Sequence, residues 1–244
     1  MHRRTLVLAA IVWAAATASA QSIKFDFGSG PARAEWTKVT PDRTYDDARG
    51  FGFEGAPSVV PTAFTGGGDP AKGGGVKAAA PFFFSFKVPA EGNWRVTVTL
   101  GGDPSAASLT TVSAEIRRLM VLHAATKPGE TKEVSFIVNT RTPKLPDGRV
   151  VRLKPRETQG EAIAWDDRIT LEFNDAHPAV CSLTAERVEN IATIYLMGDS
   201  TITDQPGMPT TSWGNFLPIF FKNTVAIANH GESGEAYSAS RGEL

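Results

Sequence analysis

Along most of the chain, hydrophobic and polar residues alternate with a period of two. Ile23, Phe25 and Phe27 are interleaved with Lys24 and Asp26, and Trp94, Val96, Val98 and Leu100 with Arg95, Thr97 and Thr99. Val134, Phe136 and Val138 repeat the pattern, as do Ile169, Leu171 and Phe173. Such alternation gives a strand one buried face and one wet face. Phe82-Phe83-Phe84-Ser85-Phe86 is bulkier and predicts a strand buried on both faces. Turn signals such as Gly101-Gly102-Asp103-Pro104 and Pro146-Asp147-Gly148 separate these runs. The glycine-rich stretch from Gly66 to Gly75 is predicted as a surface loop. Its Lys72 is followed by glycine instead of the Ser/Thr of a phosphate loop, and no strand-helix context surrounds it. Short strands punctuated by turns predict an antiparallel β-sandwich over residues 21–188.

The pattern changes at Ile191. Ala192-Thr193-Ile194-Tyr195-Leu196-Met197 is almost continuously apolar, which predicts a parallel-sheet strand buried on both faces. After a loop containing Pro206 and Pro209, Thr211 or Ser212 can cap a helix whose apolar side carries Trp213, Phe216, Leu217 and Phe220. Thr224 to Ala228 reads as a second buried strand. Strand, helix and strand form a βαβ unit over residues 191–244, and ligands of such units bind beyond the carboxyl ends of the strands. Two polar clusters lie there, Gly198-Asp199-Ser200-Thr201 and Asn229-His230-Gly231-Glu232-Ser233-Gly234.

Charge and composition narrow the partners. With 25 Lys+Arg against 26 Asp+Glu in 244 residues the formal net charge is −1, so no basic surface advertises nucleic-acid binding. The single cysteine, Cys181, cannot close an internal disulfide, and no Cys/His cluster suggests a metal. His2, Arg3 and Arg4, the apolar run Leu6 to Ala16 and the small residues Ala18-Ser19-Ala20 make residues 1–20 a predicted signal peptide. The mature chain is therefore expected to be exported, periplasmic or extracellular, with no membrane contact after cleavage.

Three blocks in order carry a resemblance: Gly198-Asp199-Ser200-Thr201 with Thr203-Asp204-Gln205, Ser212-Trp213-Gly214, and Asn229-His230-Gly231-Glu232-Ser233-Gly234-Glu235. They resemble the SGNH (GDSL-type) hydrolases, and within them the rhamnogalacturonan acetylesterase-like branch. Lys24-Phe25-Asp26-Phe27-Gly28 and Gly50-Phe51-Gly52-Phe53 resemble the openings of the carbohydrate-binding, galactose-binding-like sandwiches that precede such catalytic domains. The resemblance implies a mainly β protein: an antiparallel sandwich followed by the first βαβ portion of a flavodoxin-like α/β domain. It further implies a carbohydrate esterase that removes acetyl groups from pectic polysaccharide without a cofactor. Ser200 would be the nucleophile, and the backbone N–H groups of Ser200 and Gly234 part of the oxyanion hole. Asp199, Thr201, Asp204 and Asn229 would shape the site.

The family's later blocks, a Gly-x-Asn-Asp-like segment and an Asp-x-x-His segment carrying the base, fall more than a hundred residues after the nucleophile by that resemblance. They are not found before Leu244. The chain is thus expected to be a fragment, inactive alone, with 191–244 loosely held unless the sandwich or a second chain covers its apolar residues. Asp175-Ala176-His177-Pro178 mimics the last block but precedes the serine, in a predicted turn. His230 reads as a loop or wall residue and His123 as a sandwich residue. Gly231-Glu232-Ser233-Gly234 falls one position short of a nucleophile elbow. Trp36, Trp94 and Trp165 could stack on sugars or fill the core. Asp26, Asp46 and Asp47 read as turn or solvated carboxylates, with a calcium site the less favoured alternative. Two rival functions stand beside the first: a non-catalytic carbohydrate-binding module with a vestigial hydrolase segment, and an SGNH esterase acting on another acyl ester.

Overall fold

Alternation becomes pairing as expected in a computed structural model, which describes residues 22–55, 61–66, 74–221 and 223–235. The predicted leader and residues 67–73 of the glycine-rich loop lie outside the described residues. The chain opens with β1 (Ser22–Asp26), β2 (Thr37–Lys38), β3 (Phe51–Phe53), β4 (Thr62–Phe64), β5 (Gly75–Lys77) and β6 (Phe82–Lys87). Longer strands follow: β7 (Gly92–Gly101), β8 (Ser108–Ala114), β9 (Arg118–Thr126) and β10 (Thr131–Thr140). β11 (Arg168–Asn174) and β12 (Ala179–Arg187) complete this part. One sheet runs β10-β7-β12-β1-β2, with β5 also on β12 and β4 on β5; the other runs β3-β6-β11-β8-β9. Their pairings are antiparallel except β1 with β2.

The two sheets share one core. Trp94, Val96, Val98 and Leu100 of β7 are fully buried against Phe84 and Phe86 of β6 and Ile169, Leu171 and Phe173 of β11. Phe84 packs edge-on against Phe25 and Phe27, with ring centroids 5.1 and 5.0 Å apart. On the opposite face of β7, Thr97 pairs with Ser135 of β10 at 2.7 Å, and Ser182 of β12 donates to Thr99 at 3.0 Å. The alternation is therefore satisfied on both faces, by apolar burial on one and cross-strand hydroxyl pairs on the other.

Beyond the sandwich, β13 (Ala192–Leu196) and β14 (Val225–Asn229) pair in parallel, with Ala192 opposite Val225 and Leu196 opposite Asn229. Between them lies α1 (Trp213–Phe216), which tightens into a 3₁₀ turn over Leu217–Phe220. The βαβ unit is present, with two departures from expectation. The helix is one turn long, because Pro218 cannot donate a backbone hydrogen bond into a continuing α-helix. Most of its apolar side faces outward: Trp213, Phe216 and Phe220 are exposed, Leu217 packs on the cluster of Leu196, Ile202 and Ile227, and the buried residues of α1 are Gly214 and Asn215. Likewise β13 is covered on one side only; Leu196 is buried while Tyr195 is exposed. The covered side faces the sandwich. Phe136 and Ile137 of β10 line a small cavity of about 40 Å³ together with Val225 and Ile227 of β14.

Candidate active site

Ser200 lies in the turn that follows β13, at the carboxyl end of the strand, and is exposed. Asp199 builds that turn. Its carboxylate accepts from the Thr201 N–H at 2.9 Å, and its carbonyl accepts from the Ile202 and Thr203 N–H groups and the Thr203 hydroxyl. The Thr201 hydrogen bond, which favours the ionised form, holds the Asp199 carboxyl below the usual carboxylate range. Among the described residues, the hydrogen bonds of Asp199 are local to the loop. Gln205 then bridges the two polar clusters: its amide donates to the Ser200 carbonyl at 3.2 Å and to the Ser233 hydroxyl at 3.4 Å. Next to Ser233, Gly234 has φ +83°, the left-handed region that glycine enters freely, and among the described residues no atom crowds the position a Cβ would take. Glu232 N–H donates to the Gly198 carbonyl at 2.8 Å, so the two loops are also stitched at their base.

Close packing accounts for the small residues in these blocks. A Cβ on Gly214 would sit 1.9 Å from the Ile202 carbonyl oxygen, and one on Gly231 would sit 2.6 Å from the Ile202 side chain. Ser212 and Asn215 form a reciprocal capping box at the start of α1, so the Ser-Trp-Gly block fixes the helix entrance against the Ser200 loop.

Beneath the loops lies a buried polar network that sequence reasoning missed. Arg118, at the start of β9 and 2% exposed, donates to Asp204 at 2.5 Å and to the Asn139 carbonyl at 3.1 Å. Asp204 also accepts from the Asn229 amide at 2.7 Å; that amide donates to the Ile202 carbonyl at 2.6 Å, and its oxygen accepts from the Gly231 N–H at 3.0 Å. Asp204 and Asn229, expected to shape the site, thus join both loops to the sandwich through one arginine. Arg117 adds hydrogen bonds to the Gln205 and Thr210 carbonyls, and the Asn215 amide reaches the Ile116 carbonyl at 2.9 Å. Arg156 pairs with Glu232 and donates to the Ser233 carbonyl, while Lys154 pairs with Glu235. The available signal for Arg118 was a charge opening the apolar run Leu119 to Leu122.

The remaining candidates have other partners. Among the described residues, the Ser200 hydroxyl has no hydrogen-bonded histidine. His177 lies in the turn after β11, and Asp175 beside it is engaged by Thr111 and lies 3.7 Å from His123 on β9. His230 follows β14, is exposed, and has its ring 5.8 Å from Tyr195; partial desolvation by its neighbours and the charges of Arg141 and Arg118 push its imidazole down to about 4. Trp94 is core, its indole donating to the Ala90 carbonyl; Trp36 lies under Arg33 and Trp165 under Arg141. Asp26 pairs with Lys38 and caps the Gly28 N–H, Asp46 accepts from the Arg49 N–H, and Asp47 pairs with Lys87. Cys181 is buried, which pushes its thiol up to about 12.

No family model matches the chain. In sequence it is similar to the uncharacterized esterase YxiM of Bacillus subtilis, 24% identical over 217 residues, which take in 87% of this chain and 51% of that protein. The likeness is to an esterase. The unmatched remainder is too short to exclude the segment after Ile191 entirely, so the likeness reaches both the sandwich and the Ser200 segment. The chain spans about half the length of this curated relative. The crystal structure of YxiM from Bacillus subtilis superposes with a TM-score of 0.51 at 20% identity, over 91% of this chain and 57% of that one, and so shares its fold.

Proposed function

We propose that the chain forms the accessory sandwich, residues 21–188, and the nucleophile-bearing segment, residues 191–244, of an exported SGNH-type carbohydrate esterase. The substrate we infer is acetylated pectic polysaccharide. The observation that carries this reading is the position of Ser200: exposed at a strand's carboxyl end, with its turn tied through Gln205 to the loop of Gly234. In the reaction Ser200 Oγ attacks the acetyl carbonyl while a histidine takes its proton. The tetrahedral oxyanion is held by the Ser200 and Gly234 N–H groups, and collapse releases the sugar hydroxyl, protonated by that histidine. Water then repeats the sequence on the acetyl-enzyme to release acetate. The base and its carboxylate are assigned to an Asp-x-x-His segment, as the family resemblance implies.

The test is hydrolysis of 4-nitrophenyl acetate and release of acetate from acetylated pectin by a version carrying that segment. Ser200→Ala should lower turnover by a factor on the order of 10⁶, and retention of more than about a tenth of the rate refutes the assignment. The 244-residue chain alone should show no serine-dependent turnover. The non-catalytic reading draws on the lack of a hydrogen-bonded base at Ser200 among the described residues, and hydrolysis unaffected by Ser200→Ala would favour it.

A further inference from the structure

A second feature lies on the flank of the βαβ unit, away from the Ser200 turn. A cavity of about 530 Å³ opens between the Lys144–Val151 segment of the sandwich and the face carrying Tyr195 and His230. That volume is in the range of small-molecule sites, about 300–1,000 Å³. Its lining is cationic: Arg141, Lys144 and Arg187 face Glu91 alone, and the Glu91 carboxylate is engaged by the Thr142 N–H and hydroxyl. Among the described residues neither Lys144 nor Arg187 has a carboxylate partner. Arg141 stacks over Trp165 at 4.2 Å and donates through Nη1 to the Asn229 carbonyl; among the described residues its buried Nε has no hydrogen-bond partner. Tyr195, 66% exposed on a strand, presents an aromatic face to this opening.

We propose that this cleft binds an acidic oligosaccharide, with uronate carboxylates on Arg187 and Lys144 and the apolar face of a sugar ring on Tyr195. Guanidinium groups suit carboxylates because the paired N–H donors match the two oxygens. An amphipathic aromatic beside them suits a ring that is apolar on its face and polar at its edge. The choice of a sugar ligand rests on the esterase reading, but binding requires no hydrolysis, so the two can fail separately.

Titration calorimetry of the 244-residue chain with trigalacturonate tests the proposal. The neutral galactose trisaccharide and a triaspartate peptide serve as comparison ligands. Saturable binding of trigalacturonate, weakened by added salt and by about tenfold or more in both Arg187→Ala and Tyr195→Ala, is expected. Both side chains are exposed, and circular dichroism of each variant checks the fold; Tyr195→Phe, which keeps the ring, should bind as the parent does. Absence of saturation, equal binding of the neutral trisaccharide, equal or tighter binding of triaspartate, or binding indifferent to both alanine variants would overturn it. Trigalacturonate binding by a chain whose longer version hydrolyses no acetyl ester would leave the cleft standing and remove the esterase reading.

Discussion

Arg118 and Asp204 are both buried, and neither tolerates the loss of the other. Removing one partner of a buried ion pair strands the second charge, at a cost of about 3–5 kcal/mol. Arg118→Met should therefore lower the urea midpoint far more than the combined Arg118→Met/Asp204→Leu variant, in which no charge is stranded. Equal midpoints for the two would show that the pair is not coupled. Gly214 is constrained by space alone: its Cβ would fall inside the Ile202 carbonyl contact. Gly214→Ala should cost about 1–3 kcal/mol by overpacking and displace the Ser200 turn. Thermal melting checks the first effect, and chemical-shift changes at residues 200–205 the second.

Among the elements, the strands were legible because a sandwich writes its two faces into the sequence: β7 reads outside and inside residue by residue. The βαβ unit was legible as an order of elements, but its environment was not. Periodicity says which residues share a face and not what that face meets. Trp213 and Phe216 share a face as expected, and that face is open. The two polar loops touch, yet the residues that hold them, Arg117, Arg118, Lys154 and Arg156, are distant in sequence and ordinary in appearance. Lone basic residues carry no pattern until their carboxylate partners fold beside them. The expected loose hold on the last segment is likewise modified, since sandwich residues cover β14 and pin its loop. Arg156→Ala removes the contacts to Glu232 and Ser233 and should speed amide exchange across 231–235 while leaving β7 and β10 protected. Unchanged exchange there would show that the contacts of Gly198, Gln205, Asn229 and Lys154 suffice without Arg156.

For the molecule as a whole, two buried or crowded groups set opposing responses to pH. Burial pushes Glu115 up to about 8, with Asp166 and Asp204 adding to the rise and Arg118 opposing it. Its folded form then holds a proton that the unfolded chain releases near 4.5, so its contribution to stability is complete at low pH and is lost as pH rises through 8. His230, held down to about 4, works the other way: its contribution falls as pH drops from 6.5 towards 4, moderated by its exposure to solvent. The two effects oppose each other between about 4.5 and 6.5, and above that the His230 effect is spent while that of Glu115 continues. Melting temperature should fall from pH 6.5 to 8, and Glu115→Gln should flatten that fall. A parent protein with no such fall would place the proton elsewhere.

The first strand of the sandwich has its main partner near the end of the sandwich. Ser22 of β1 lies opposite Glu186 of β12, and β12 is also the strand that joins β1 to β7. On a ribosome, at about 5–20 residues per second, the interval between making the two strands is roughly 8–30 s. Through that interval β1 lacks its main partner, and it cannot be joined to β7, because β12 lies between the two in the sheet. Closure of the sandwich thus cannot precede synthesis of residues 179–187, so a nascent chain halted before Ala179 should stay open to protease at β1 and β7.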